Sequence, residues 1–142
     1  MSEIFNFTCY INPPTKNEKE KLRVWSSKKN RYVYIVNPDY RNTWNLIKDK
    51  LYLARYKMTY AQFKIITPKA RNQLRKSLYN DKVSLTIHNG FRRMDTSAFL
   101  HEIEDQLEGV VYKNDNQIKH VSIDKHDECE KEFFKVIVEK ME

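Results

Sequence analysis

The chain has 142 residues, of which 26 are Lys or Arg and 19 are Asp or Glu, for a formal charge of +7. That length suits one domain and argues against a two-domain enzyme or a repeat array. Aromatics at 13% are too many for a disordered tail, and no apolar run approaches the ~20 residues that a bilayer span needs.

The first residues, MSEIFNFTCY, carry an acid where a signal peptide needs a basic start. The expectation is a soluble, cytoplasmic protein. Cys9 and Cys129 form no CxxC pair. In a reducing compartment that points to two buried or idle thiols, not to a disulfide or a metal site. Charge is spread unevenly. Residues 1–94 hold 20 basic and 6 acidic side chains, whereas residues 95–142 hold 6 basic and 13 acidic. A basic body joined to an acidic C-terminal third has two readings. One is a surface for a polyanion beside a carboxylate cluster for divalent metal, and the other is solvated charge with no partner.

In chain order, Ile4, Phe5, Phe7, Cys9 and Ile11 suggest a first strand, which Asn12-Pro13-Pro14 ends. Residues 15–21 form a polar loop. Leu22–Trp25 and Tyr32–Val36, joined by KKNR, read as a hairpin. Asn37-Pro38 opens a helix, since proline fits the first turn and Asn37 or Asp39 can cap it. Trp44, Ile47, Leu51 and Ala54 share its expected buried face, flanked by Leu46, Tyr52 and Tyr56. Thr59–Ile66 fits helix or strand. Thr67-Pro68 starts another helix, running through Leu74 and Leu78. Val83, Leu85 and Ile87 alternate with Ser84, Thr86 and His88, as in a half-buried strand.

From Asp95 to Glu108 the pattern is helical, with Phe99, Ile103 and Leu107 in one stripe and Gly109 as the stop. Val110–Tyr112, Ile118–Ile123 and Phe133–Val138 read as strands, with turns or loops between them. The fold class predicted is α/β (α+β mixed), one domain over residues 1–142 with a mixed sheet. Trp25, Trp44, Tyr32 and Tyr34 are read as core or dimer surface, not as base-stacking platforms. His120, His126 and Cys129 lack zinc-site spacing. With Gly90 and Gly109 the sole glycines, there is no phosphate-cradling loop and no nucleotide cofactor is expected.

Asp95 lies where a strand hands over to a helix, a place where loops set functional groups on a rigid frame. A helix from 95 to 109 would be about 21 Å long. Six extended residues return about 20 Å. The chain can therefore bring Asp115 beside Asp95, and two carboxylates suffice for Mg²⁺ completed by water and phosphate. From spacing alone the plainer reading prevails, with Asp95 an N-cap and Asp115 a turn residue.

The stretch RRMDTSAFLHEIEDQLEGVVYKNDNQIKHVSIDK resembles the signature of the RusA family of Holliday junction resolvases, common in prophages. Asp95 falls on the family's first aspartate. Asp105 and Leu107 fall on its D-x-L, Gly109-Val110-Val111 on the strand that follows, and Asp115-Asn116-Gln117-Ile118 on its last motif. Asn12-Pro13-Pro14-Thr15-Lys16-Asn17 is similar to the P-P-[ST]-x-N loop after strand one. The likeness spans most of the chain and is most specific at residues 105–118.

The resemblance implies a RusA-like homodimer that hydrolyses phosphodiesters in branched DNA, with Mg²⁺ (or Mn²⁺) held by three aspartates and a lysine assisting. Here Ser97, Ala98 and His101 replace the family's second aspartate, asparagine and lysine. The implied metal candidates are Asp95, Asp115 and Ser97, and the catalytic candidates Asp95, Asp115 and His101. His101 can replace the lysine only when protonated, and a plain surface histidine is the favoured reading. Arg92, Arg93, Lys69, Arg71, Arg75, Lys76 and Lys16 are the DNA-contact candidates. The loss of one acidic ligand leaves open a relative that binds branched DNA or a protein partner without cutting. An RNA-binding module is disfavoured, because no RNP-like or GXXG sequence is present.

Overall fold

The computed structural model describes residues 2–14, 21–92, 94 and 99–141. The strand made by Ile4, Phe5 and Phe7 is β1 (Glu3–Cys9). The predicted hairpin is β2 (Lys21–Ser26) and β3 (Arg31–Val36). Three helices follow: α1 (Pro38–Tyr56), α2 (Tyr60–Ile65) and α3 (Pro68–Arg75). Then come β4 (Val83–Asn89), α4 (Leu100–Leu107), a 3₁₀ turn at Asp115–Gln117, β5 (Ile118–Lys125) and β6 (Phe134–Lys140). This is an α/β mixture, as the sequence predicts. No helix among the described residues is long and apolar enough to cross a membrane.

The main sheet has the order β1-β6-β4-β5. β6 is antiparallel to both neighbours, and β4 is parallel to β5. Register places Phe7, Val136 and Ile87 in one row across three strands, and Phe5, Val138 and Leu85 in the next. These rows are buried, and Trp44, Ile47 and Leu51 of α1 join Ile103 and Leu107 of α4 in the same core. One face of the sheet is thus covered by helices. Phe134 is the aromatic hub, with ring contacts to Phe7, Phe91 and Phe99 at 6.0–6.4 Å.

Local chemistry explains the helix starts. Asn37 accepts from the Asp39 N–H at 3.0 Å, and Pro38 occupies the first turn. Thr67 caps α3 in the same way, through Ala70 N–H at 3.2 Å. Thr59–Ile66 resolves as a helix, because Thr59 and Gln62 form a reciprocal capping box. Tyr52, Tyr56, Tyr60 and Phe63 then stack together where α1 meets α2.

Several expectations are corrected. Ala54 is exposed and Tyr52 is buried, since the apolar stripe of α1 swings toward the tyrosine cluster. α3 stops at Arg75, short of Leu78. β4 is more than half-buried, because it is interior to the sheet and Ser84 is covered as well. α4 runs from Leu100, and the expected start at Asp95 lies outside the described residues; Phe99, at the N-cap with φ −134° and ψ 2°, is buried in the core. Val110–Tyr112 is a turn, not a strand. Of the four aromatics read as core or dimer surface, Trp44 is core, and the core alternative does not apply to Trp25, Tyr32 and Tyr34, which are exposed.

Gly90 sits where β4 leaves the sheet. Its N–H donates to Phe133 O at 2.7 Å, and a β-carbon there would lie 2.6 Å from the Phe133 ring. Gly90→Ala is therefore expected to cost about 1–3 kcal/mol through overpacking. Denaturant unfolding checks this; an unchanged midpoint would show that the Phe133 ring is free to move aside.

Candidate metal centre

Leu100, Ile103 and Leu107 turn one face of α4 toward the core, so Asp105 and His101 lie on the outer face. The His101 Nε2 is 3.4 Å from Asp105 Oδ2, one helical turn away. Glu108 caps the helix, and Gly109 follows with φ +81°, a conformation that disfavours residues with a side chain.

The chain then reverses tightly. Val111 N–H donates to Leu107 O at 2.9 Å, and Gly109 N–H donates to Tyr112 O at 2.8 Å. Three side chains lock the turn. Arg55 Nε and the Tyr56 hydroxyl both donate to Val110 O, at 3.1 and 2.9 Å. The buried Tyr112 donates its hydroxyl to Glu104 O at 2.7 Å.

Beyond the turn, Asn114 and Gln117 organise the Asp115 backbone. Asn114 accepts from Asn116 N–H at 2.8 Å. Gln117 Oε1 accepts from the N–H groups of Lys113 and Asn114, and its amide nitrogen donates to Tyr79 O and Asp81 O. Asp115 is thereby held against the end of α4. One carboxylate oxygen from each of Asp105, Glu108 and Asp115 lies within 4.8 Å of the other two.

These acids feel one another. Burial raises the Glu104 carboxyl above the usual carboxylate range; His101 pulls it down, and Asp115 and Asp105 push it up again. Burial likewise lifts the Tyr112 phenol, with Glu104, Asp115, Glu108 and Asp105 adding to the rise. A bound cation relieves such repulsion, and hard oxygen donors suit a hard divalent ion. The triad can hold a metal ion. At metal–oxygen lengths of about 2.1 Å the oxygens must draw closer, which the exposed Asp105 and Glu108 side chains are free to do.

The sequence candidates are distributed unevenly over this geometry. Asp115 is in the triad and His101 borders it. Asp95, Ser97, Arg93 and Lys16 lie outside the described residues. Arg92 is engaged elsewhere: it donates to the Cys129 carbonyl, and its own N–H donates to Glu132 at 3.0 Å. Arg71 is half-buried and donates to Lys64 O at 2.6 Å, with its guanidinium over the Phe63 ring. It braces α2 against α3. Lys69, Arg75 and Lys76 remain exposed. Tyr79, just past α3, donates its N–H to Val111 O at 2.9 Å, which ties the segment after α3 to the acid turn.

Glu108 was not among the sequence candidates, and Asp105 entered only as a motif residue. The Asp105-x-x-Glu108 spacing places both on one side of a helix end, but their meeting with Asp115 depends on the turn. His88 and His126 were also missed as a pair; their ring nitrogens are 2.8 Å apart, with Asp124 3.6 Å from His88.

No family model matches the chain. No relative is found among curated proteins. Among solved structures, the 2C-methyl-D-erythritol 2,4-cyclodiphosphate synthase of Plasmodium vivax is similar at 14% identity over 96% of both chains, with a TM-score of 0.38. A likeness that low carries no argument about fold or activity.

Two outcomes follow from the triad. Mg²⁺ or Mn²⁺ is expected to raise the melting temperature, by an amount equivalent to about 2.7 kcal/mol at a hundredfold excess over Kd. Asp105→Asn with Asp115→Asn should abolish that rise in a thermal melt; a full rise in the double variant would place the metal elsewhere. Separately, Glu104 holds its proton more tightly folded than unfolded. Its contribution is therefore intact in acid and lost as pH climbs through the raised folded value. Glu104→Gln should stabilise the fold near pH 7 and leave it unchanged near about pH 3. Unfolding curves at both pH values test this, and equal effects at the two would count against it.

Proposed function

We propose that this chain is a metal-dependent endonuclease of RusA type that resolves four-way DNA junctions in recombination and repair. The supporting observation is the meeting of Asp115 with Asp105 and Glu108. It falls within the segment where the resemblance to RusA is most specific, and three carboxylates there suit the hard cation that phosphodiester hydrolysis uses. Mg²⁺, with Mn²⁺ as substitute, is the metal that reading requires. Such an ion, when bound, polarises a phosphate and lowers the pKa of an attacking water. Asp105, Glu108 and Asp115 would hold it. His101, when protonated, adds positive charge 3.4 Å from Asp105, in the position of the family's lysine.

The exposed cations Lys69, Arg75 and Lys76 on and just after α3 suit contacts to the DNA backbone. A homodimer supplies two such sites about a twofold axis, matching the near-symmetry of a junction. The site of action is the cytoplasm. A second reading keeps the DNA binding and drops the cleavage. Ser97, where the family has an acid, favours it, and so does the engagement of Arg92 away from the acids.

A synthetic four-way junction tests both. With Mg²⁺ or Mn²⁺, paired nicks are expected, and Asp115→Asn should abolish them while binding survives. Junction binding without nicks at any metal concentration supports the second reading. Ser97→Asp should raise metal affinity or rate. The binding constant should fall with salt by a log–log slope of roughly 0.9 per phosphate contacted; a flat response would remove the basic surface from the proposal.

A further inference from the structure

The β2–β3 hairpin pairs with no strand of the main sheet. Its register sets Arg23 opposite Tyr34 and Trp25 opposite Tyr32. Directly paired residues share a face, so these four side chains form one surface. It is open to solvent, with Trp25 and Tyr32 each 54% exposed and Tyr34 64% exposed. Rings of this size are rarely left so bare in a group. The surface is also ordered. Trp25 and Tyr32 meet edge to face with centroids 5.1 Å apart, and the Arg23 guanidinium lies 4.1 Å from the Tyr32 centroid.

Charge chooses the occupant. Residues 21–36 contain Lys21, Arg23, Lys28, Lys29 and Arg31, and no acid. A second copy seated here would bring one acid-free, basic hairpin against another, which like-charge repulsion opposes. A polyanion meets no such penalty. Spacing refines the choice. Tyr32 is taken by Arg23 and Trp25, which leaves Trp25 and Tyr34, diagonal neighbours across the two strands at about 7–8 Å. That is roughly twice the ~3.4 Å advance per nucleotide of a duplex strand. These two rings therefore suit bases from a strand drawn open, not bases held in a duplex. We propose that the Arg23–Trp25–Tyr32–Tyr34 face of the hairpin is a platform for unpaired nucleic acid, with bases stacked on Trp25 and Tyr34 and phosphates met by the surrounding cations.

This surface does not depend on the metal triad, and the experiment keeps the two apart. The full chain is titrated with a dye-labelled oligothymidylate and with a labelled duplex of equal length, reading fluorescence anisotropy for every variant and, where Trp25 is present, tryptophan fluorescence as well. Trp44 is buried and Trp25 exposed, so quenching by the unpaired oligomer reports on the hairpin. Trp25→Ala and Tyr34→Ala should each weaken binding of the unpaired strand roughly 5- to 150-fold, the equivalent of about 1–3 kcal/mol per stacked base. Both sites are exposed, and thermal melts verify that the variants fold. Asp115→Asn should bind oligothymidylate as the parent chain does, whether or not it cuts junctions. Unchanged affinity in both aromatic variants would overturn the proposal, as would equal affinity for duplex. So would concentration-dependent dimerisation lost in Tyr34→Ala, or quenching by anionic vesicles but not by oligothymidylate.

Discussion

The carbonyl of Val110 is the fastening point of the acidic site. Arg55 and Tyr56, neighbours near the end of α1, both donate to it, and Arg55 reaches on to Ser77 O at 2.9 Å. A partly buried carbonyl taken by two donors, one of them charged, is hard to move, because leaving such groups unmatched costs about 1–3 kcal/mol. The turn at Glu108–Tyr112 is thus tied to α1 and to the segment after α3 together. That tie anchors the turn from which Asn114 and Gln117 hold Asp115 against the end of α4.

Like charge is concentrated here against its own repulsion. The fold tolerates this because Asp105 and Glu108 remain in water, where repulsion is screened, while Tyr112 and Leu107 beneath them supply the burial. The Glu104 carboxyl and the Tyr112 phenol are raised first by burial, and the neighbouring acids add to the rise. The charge divides along the chain, basic before Asp95 and acidic after it, and the elements inherit that division. The aromatic hairpin and the exposed end of α3 carry cations, and α4 with its following turn carries the acids.

Local signals were readable in the sequence where one residue does the work. Asn37-Pro38 and Thr67-Pro68 cap their helices as composition suggests, and Gly109 ends α4 with a positive φ. What depends on distant partners was not readable. Phe99 has the spacing of a helical core residue, yet it is pulled out of the helix toward Phe134. Val110–Tyr112 has strand composition, but the donors on α1 bend it. Ala54 fits the apolar stripe of α1, yet the tyrosine cluster takes the buried place. At the site, Asp115 carried a motif, whereas Glu108 had no signal until the turn brought it in. Trp25, Tyr32 and Tyr34 have core composition, but a hairpin outside the main sheet leaves their shared face bare.

The place of β6 in the sheet has a consequence for how the chain reaches its native form. β6 lies between β1 and β4, and Glu3 finds its partner in Glu139. As the polypeptide emerges from the ribosome, β1 and β4 cannot join directly, and each keeps a bare hydrogen-bonding edge until β6, which follows both in the chain, has been made. Contacts so far apart in sequence form late and slowly. The nascent chain therefore spends its longest interval with Phe5, Phe7, Leu85 and Ile87 uncovered, which makes this interval the natural point for chaperone capture or aggregation.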